Sequence, residues 1–336
     1  MTAISIPKLI CLELRLTTLC AIEYLPHFHG PQWSAMFRFI LKPLLSEQQD
    51  MAGANIWVHP VEMGTVRYDK NEAVHLGITA AVEQQKLLAE ALRNMDASHC
   101  KDGHFLPGKT IALQSVHCRL CGGSWFDDCG CALSWDKVKD EVDTLCSLDS
   151  FTISLMSPLR LTRPEGHKNM GHRYCDNDFF NSSNNPLSHF VDKIREIDHP
   201  TVGGQGLHVN RAELLWLDIP YGEVIKKTLG GVTGRVYVSG KPDKETAERL
   251  VIGQYTGAGK NASFGLGFYL IPELDQVRKV KPLSRGMTLL QRAVAVNRLK
   301  SVLHRLPNSS PGPDGLTVGI FRKQTSHGLN PCLSES

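Results

Sequence analysis

The chain has 336 residues, 42% hydrophobic and 21% charged, with 37 Lys and Arg against 34 Asp and Glu for a formal net charge of +3. That length holds about two domains, and the balance is that of a globular chain rather than a disordered or fibrous one. No apolar run is long enough to span a bilayer, and so small a net charge means that any nucleic-acid surface must come from local clustering of cations.

The apolar opening from Ile4 to Leu25 is interrupted by Lys8, Glu13, Arg15 and Glu23, and no small-residue cleavage site follows it, so it reads as folded chain in a cytosolic protein. Alternation in Leu9 to Leu16 predicts a strand. Pro31 then opens a helix whose Trp33, Met36, Phe37, Ile40, Leu41 and Leu44 form one apolar stripe. Strands are predicted over Ile56 to Pro60 and Ala73 to Thr79, a helix over Ala80 to Met95 and a strand over Thr110 to His117. The same βαββαβ order returns as strand Phe151 to Ser157, helix Pro186 to Ile197, strands Ala212 to Asp218 and Val232 to Ser239, helix Asp243 to Gly253 and strand Phe264 to Ile271. The predicted class is α+β, two ferredoxin-like units in tandem, each covering one face of a four-stranded sheet with two helices. The domain reading is a first unit over 1–117, a cysteine-bearing insert or linker over 118–147, a second unit over 148–274, a basic helical segment over 275–322 and a disordered tail over 323–336.

Glycine is densest in Gly257-Ala258-Gly259-Lys260-Asn261-Ala262-Ser263-Phe264-Gly265-Leu266-Gly267. Glycines let a backbone approach a partner closely, and Lys260 supplies a charge for an anionic one. A phosphate-binding Walker loop needs glycine where Gln254 stands and Ser or Thr where Asn261 stands. A dinucleotide fingerprint leads from strand to helix, whereas these glycines lead from helix to strand. A glycine-rich hairpin before a final strand remains.

That spacing resembles the C-terminal motif of CRISPR repeat-processing endoribonucleases of the RAMP superfamily. Ser157-Pro158-Leu159-Arg160-Leu161 after an apolar strand is similar to the start of the family's second unit. Leu215-Trp216-Leu217-Asp218 with Tyr221, followed by Gly230-Gly231-Val232-Thr233-Gly234-Arg235-Val236, continues the likeness, which runs from about Leu9 to Leu274. The resemblance implies cleavage of precursor CRISPR RNA within its repeats without a metal, leaving 2′,3′-cyclic phosphate and 5′-hydroxyl ends. Such chemistry needs one group to take a proton from a 2′-hydroxyl and another to give one to the leaving oxygen, work suited to imidazole near neutral pH. Phe28-His29-Gly30 before an apolar helix is similar to the family's pattern, which makes His29 the first catalytic candidate, His27 the second and Tyr24 a hydroxyl partner. Candidate RNA contacts are Lys260 and Arg235, which flank the two glycine-rich turns, with Gly257, Gly259, Asn261, Gly265, Gly267, Arg160 and Arg163. Lys168 and Arg173 belong to the same group of cations, for which the bland alternative is the solvated rim of a sheet. A module that grips repeat RNA without cutting it is the rival function.

Cys118-x-x-Cys121 and Cys129-x-Cys131 form a compact quartet beside His117. Structural zinc, free thiols and a redox pair are all compatible with this spacing, and a cytosolic setting argues against a disulfide. Catalysis by the histidines requires no cofactor.

The segment Met287 to Leu306 reads as a basic amphipathic helix followed by Ser310-Pro311-Gly312-Pro313-Asp314-Gly315-Leu316-Thr317. It resembles the opening of group II intron-type reverse transcriptases, with the pattern lost after Lys323, as in a truncated fusion. The partners implied are CRISPR repeat RNA and a reverse transcriptase and integrase acquisition complex, with no membrane.

Overall fold

The computed structural model describes residues 8–22, 28–42, 44, 55–60, 67–93, 95, 111–126, 129–164, 173–182, 186–194, 206–221 and 227–280. Tyr24, His27, Lys168 and the basic segment from Met287 lie outside the described residues.

Strands β1 (Leu9–Thr18), β2 (Ile56–Pro60), β3 (Ala73–Ala81) and β4 (Ile111–Cys118) form a sheet of order β2-β3-β1-β4 in which every neighbouring pair is antiparallel. Helix α1 (Gly30–Leu41) joins β1 to β2, and α2 (Gln85–Arg93) joins β3 to β4. Side chains alternate across a strand, so Ile10, Leu12, Leu14 and Leu16 of β1 enter one core with Val58, Leu76 and Ile78 of the sheet and Trp33, Phe37, Ile40 and Leu41 of α1. The predicted stripe on α1 is thus the buried one, with Leu44 packed at its margin.

The second lobe repeats the plan. Strands β5 (Ser150–Leu159), β6 (His208–Tyr221), β7 (Lys227–Ser239) and β8 (Tyr269–Leu270) lie in the order β6-β7-β5-β8, again antiparallel. The architecture is therefore α+β, a tandem pair of ferredoxin-like units.

The lobe departs from the sequence reading in several elements, β6 and β7 being longer than the predicted Ala212 to Asp218 and Val232 to Ser239. Residues 135–147, read as linker, form α3 (Trp135–Ser147), whose Val138, Val142 and Leu145 recur at helical spacing in the second core. The buried Glu141 of this helix accepts a hydrogen bond from Tyr255 Oη at 2.8 Å. A short helix α4 (Asn177–Ser182) precedes α5 (Pro186–Val191), which ends earlier than predicted. Helix α6 (Lys244–Thr256) runs past the predicted Gly253 to a cap at Gly257, and at its start Asp243 Oδ1 accepts from Thr246 N at 2.7 Å. The final strand shrinks to Tyr269–Leu270, because Ala262–Phe264 winds into a 3₁₀ turn.

Strand β1 serves both lobes. Its opposite face carries Leu9 and Cys11 into the second core, where Trp57 of β2 joins them. Leu9 also exchanges both backbone hydrogen bonds with Leu133, at 3.0 and 2.7 Å, just before α3.

Candidate nucleic-acid interface

The glycine-rich segment is a closed loop rather than a hairpin. Ala258 N donates to Gly267 O at 2.9 Å, Gly267 N to Pro158 O at 3.0 Å, Gly259 N to Lys193 O at 2.8 Å and Lys260 N to Arg160 O at 2.8 Å. Gly257, Gly259, Gly265, Gly267 and Asn261 all have positive φ. At Gly267, with φ of +70°, a Cβ would stand 1.9 Å from Ala258 O, so glycine is required there by both conformation and space. The sequence anticipated a close approach to a ligand. At Gly259 and Gly267 the approach is to the chain itself, because the loop is stitched to the end of β5.

One end of the loop lies beside a cluster of cations and aromatic rings. The Arg160 guanidinium sits 4.4 Å from the Tyr174 ring centroid and donates to Tyr174 Oη at 2.6 Å. Its Nε and Nη1 are buried with no hydrogen-bond partner among the described residues. Arg173 stacks on the same ring at 5.7 Å, and the Trp216 ring lies 6.3 Å beyond it. Burial alone would raise the Tyr174 pKa, yet the Arg160 hydrogen bond and the charges of Arg160, Arg173 and Lys260 outweigh it and hold the hydroxyl below its ordinary value. Trp216 is 39% exposed, unusual for so large an apolar side chain. It lies flat on β7 because Gly230 leaves room, the place of a Cβ there being 2.2 Å from the indole.

The other end of the loop meets the start of α1. A Cβ on Gly30 would stand 2.3 Å from Phe264 O. Ser34 Oγ donates to Ser263 O at 3.1 Å, and the Arg38 guanidinium sits 5.0 Å from the Phe264 ring. Phe28 packs with Leu266 of the loop and Ile219 of β6. The loop thus links the cationic cluster of the second lobe to the segment of the first lobe that holds His29.

His29, the first catalytic candidate, is not open to solvent. The residue is 0% exposed at the cap of α1, and Trp33 Nε1 donates to its Nδ1 at 2.6 Å. An indole N–H can only donate, so Nδ1 carries the lone pair in this contact. The rings of Trp33 on α1 and of Tyr68 meet it edge-on, with centroids 5.9 and 6.3 Å away, a packing that loop position alone did not reveal.

Arg163 is also drawn inward: it pairs with Asp176 at 2.8 Å and donates to Tyr174 O at 3.0 Å, holding the turn into α4. Arg235 is exposed on β7 opposite Glu213. Trp216 faces Val232 in the same ladder, three positions away, so strand alternation puts Arg235 and Trp216 on opposite faces of the sheet. Arg235 is therefore not brought into the cluster of Arg160, Tyr174 and Lys260.

His59 was not anticipated. Its Nε2 lies 3.1 Å from Tyr255 O, and its ring packs 4.6 Å from that of Phe268 as the loop exits. Burial, helped by the Arg119 charge, pushes its pKa down to about 3, so the ring is neutral. The alternation Ile56, Val58 against Trp57, His59 was the available signal, since it gives β2 a second buried face. Tyr174 was missed because it lies in irregular chain between two elements.

The thiol sulfurs of Cys118, Cys121, Cys129 and Cys131 all lie within 4.8 Å of one another, and no other such donor group occurs among the described residues. No helix among the described residues is long and apolar enough to cross a membrane.

Solved structures share this tandem arrangement. A chain of a partial Cas6-RT-Cas1–Cas2 complex superposes with a TM-score of 0.60 at 20% identity, over 80% of this chain and 46% of that one. A chain of a Cas6-RT-Cas1–Cas2 complex gives the same score and identity over 80% of this chain and 29% of its own. The present chain therefore spans less than half of either, and at this identity the likeness is one of fold. Thermus thermophilus Cas6 aligns over 80% of this chain and 99% of its own at 16% identity and a TM-score of 0.45. No family model and no curated protein sequence matches the chain.

Proposed function

We propose that this chain is a CRISPR repeat-processing endoribonuclease of the RAMP superfamily, cutting precursor RNA by attack of a 2′-hydroxyl on the adjacent phosphate. The observation that carries the reading is the glycine-rich loop, which runs from the Arg160, Tyr174 and Lys260 cluster to the His29 segment at the start of α1. In this reading phosphates are neutralised by Lys260 and Arg160, an unpaired base stacks on Trp216, and the scissile phosphate lies where loop and α1 meet.

Proton transfer is assigned to the segment holding Tyr24, His27 and His29. His29 is buried with its Nδ1 accepting from Trp33, so in this reading RNA displaces the side chains that bury it. The developing negative charge on the phosphate is met by a cation rather than a bound metal. The products are a 2′,3′-cyclic phosphate and a 5′-hydroxyl.

The test is labelled repeat RNA incubated in buffer with no added divalent cation, with end mapping of the fragments. Short products with cyclic ends support the proposal. Cleavage that appears only on adding magnesium, or that survives unchanged in the His27→Ala, His29→Ala double variant, overturns it.

The full burial of His29 favours a second reading, a module that binds repeat RNA without cutting it. Retarded but intact RNA under the same conditions selects that reading. As to partners, the fold shared with a chain of a Cas6-RT-Cas1–Cas2 complex supports work beside a reverse transcriptase and integrase during spacer acquisition.

A further inference from the structure

Between β4 and α3 the chain makes a tight turn that the RNA-directed reading does not use. Cys118 is buried at the end of β4, Cys121 is exposed, and Cys129 and Cys131 are half-buried; all four are free thiols. Cys118 N donates to Gly123 O at 2.9 Å and Gly122 N to Cys118 O at 2.8 Å, with Gly122 at φ +76°, so residues 118–123 fold back on themselves. Backbone N–H groups are aimed at the sulfurs: those of Leu120 and Cys121 at Cys118, that of Gly123 at Cys121 and that of Cys131 at Cys129. Such donors support a thiolate that also binds a cation.

The separations choose among the readings of this spacing. Four thiolates about 2.3 Å from one zinc ion stand about 3.8 Å from each other in a tetrahedron. Here Cys121 and Cys129 sulfurs are 3.5 Å apart and no pair of the quartet exceeds 4.8 Å. A disulfide would need about 2.05 Å, and thiolates spread around an iron–sulfur cluster would stand farther apart than those around a single ion. His117 precedes Cys118 on β4, so it points to the other face of the strand and is not among the donors that gather here.

We propose that Cys118, Cys121, Cys129 and Cys131 bind one Zn²⁺ as four thiolates, forming a structural site that fastens the chain where it leaves the first sheet for α3. The ion displaces the four thiol protons and closes the coordination sphere, leaving no open position for substrate. Its place in the fold gives it a purpose. A few residues beyond the quartet, Leu133 pairs with Leu9 of β1 and α3 begins, so the site sets the register of the segment that joins the two lobes.

The experiment is elemental analysis of the purified full chain, followed by cobalt replacement and absorption spectroscopy. The expected result is stoichiometric zinc, released when a mercurial reagent blocks the thiols. The cobalt form should show the intense visible bands of a tetrahedral tetrathiolate site. Cys121→Ser, at the exposed ligand, is expected to weaken zinc binding more than about a hundredfold, beyond the loss typical of a supporting group. Cys146→Ser, outside the quartet, should leave it unchanged. The proposal is overturned by metal-free protein that gives no cobalt spectrum, by a disulfide within the quartet, or by iron in place of zinc. None of these readouts depends on RNA cleavage.

Discussion

Trp216 combines an exposed indole with a glycine beneath it and a cationic cluster alongside, which gives it a measurable role. Trp216→Ala is expected to weaken single-stranded repeat RNA binding by roughly 1–3 kcal/mol, the range for one stacked base, with thermal stability little changed. Filter binding beside a melting curve checks both. Lys260→Ala should instead lower affinity evenly across RNA sequences and reduce the slope of log Kd against log salt by about 0.7. An unchanged slope would remove Lys260 from the phosphate path. These two residues show how far single positions could be read from the chain. Lys260 stands out by its glycine neighbours, whereas the importance of Trp216 depends on Tyr174 and Arg160, which approach it only in three dimensions.

Among the elements, the glycine-rich loop is the most constrained. Gly267→Ala forces a side chain into the Ala258 carbonyl at positive φ, and the expected cost is more than about 2 kcal/mol in chemical denaturation. A variant as stable as the parent would mean that the loop can open. Most elements were legible because their periodicity is strong: β1 alternates cleanly over Leu12 to Leu16, and α1 shows its stripe from Trp33 to Leu41. Helix α3 escaped because its apolar positions, Val138, Val142 and Leu145, are separated by Lys and Asp, and the nearby cysteines drew the segment into a linker reading. The final strand was overextended since a 3₁₀ turn at Ala262–Phe264 leaves no periodic signature in so short a run. The site was legible in outline. The loop and the His29 segment could be named from sequence, but the burial of His29 and the inward pairing of Arg163 involve contacts with Tyr68 and Asp176 that chain order does not announce.

At the scale of the whole molecule, the meeting of loop and α1 can be tested by steric separation. Gly30→Val places methyl groups against Phe264 O, and the expected outcome is loss of cleavage with RNA affinity kept within about threefold, since the cationic cluster lies at the loop's other end. Equal loss of both would mean that the variant misfolds or that the two ends do not act separately, and a melting curve decides which. His59 makes the same junction sensitive to acid. Its pKa is about 3 in the fold against an ordinary 6.5, so within that window the unfolded chain binds the extra proton and stability falls as pH drops. From pH 6.5 to 5 the loss is on the order of 2 kcal/mol, about 1.36 kcal/mol per pH unit. Thermal melts of the parent should decline over this range more steeply than those of His59→Gln; parallel curves would sink the assignment.

The double duty of β1 bears on how the protein comes apart. A strand that lends Ile10 and Leu12 to one interior and Leu9 and Cys11 to the other is a party wall, and neither room can be demolished while its neighbour stands. Calorimetry should accordingly record one melting event rather than two. Trimming the wall on a single side, as in Leu9→Ala, should loosen the whole building.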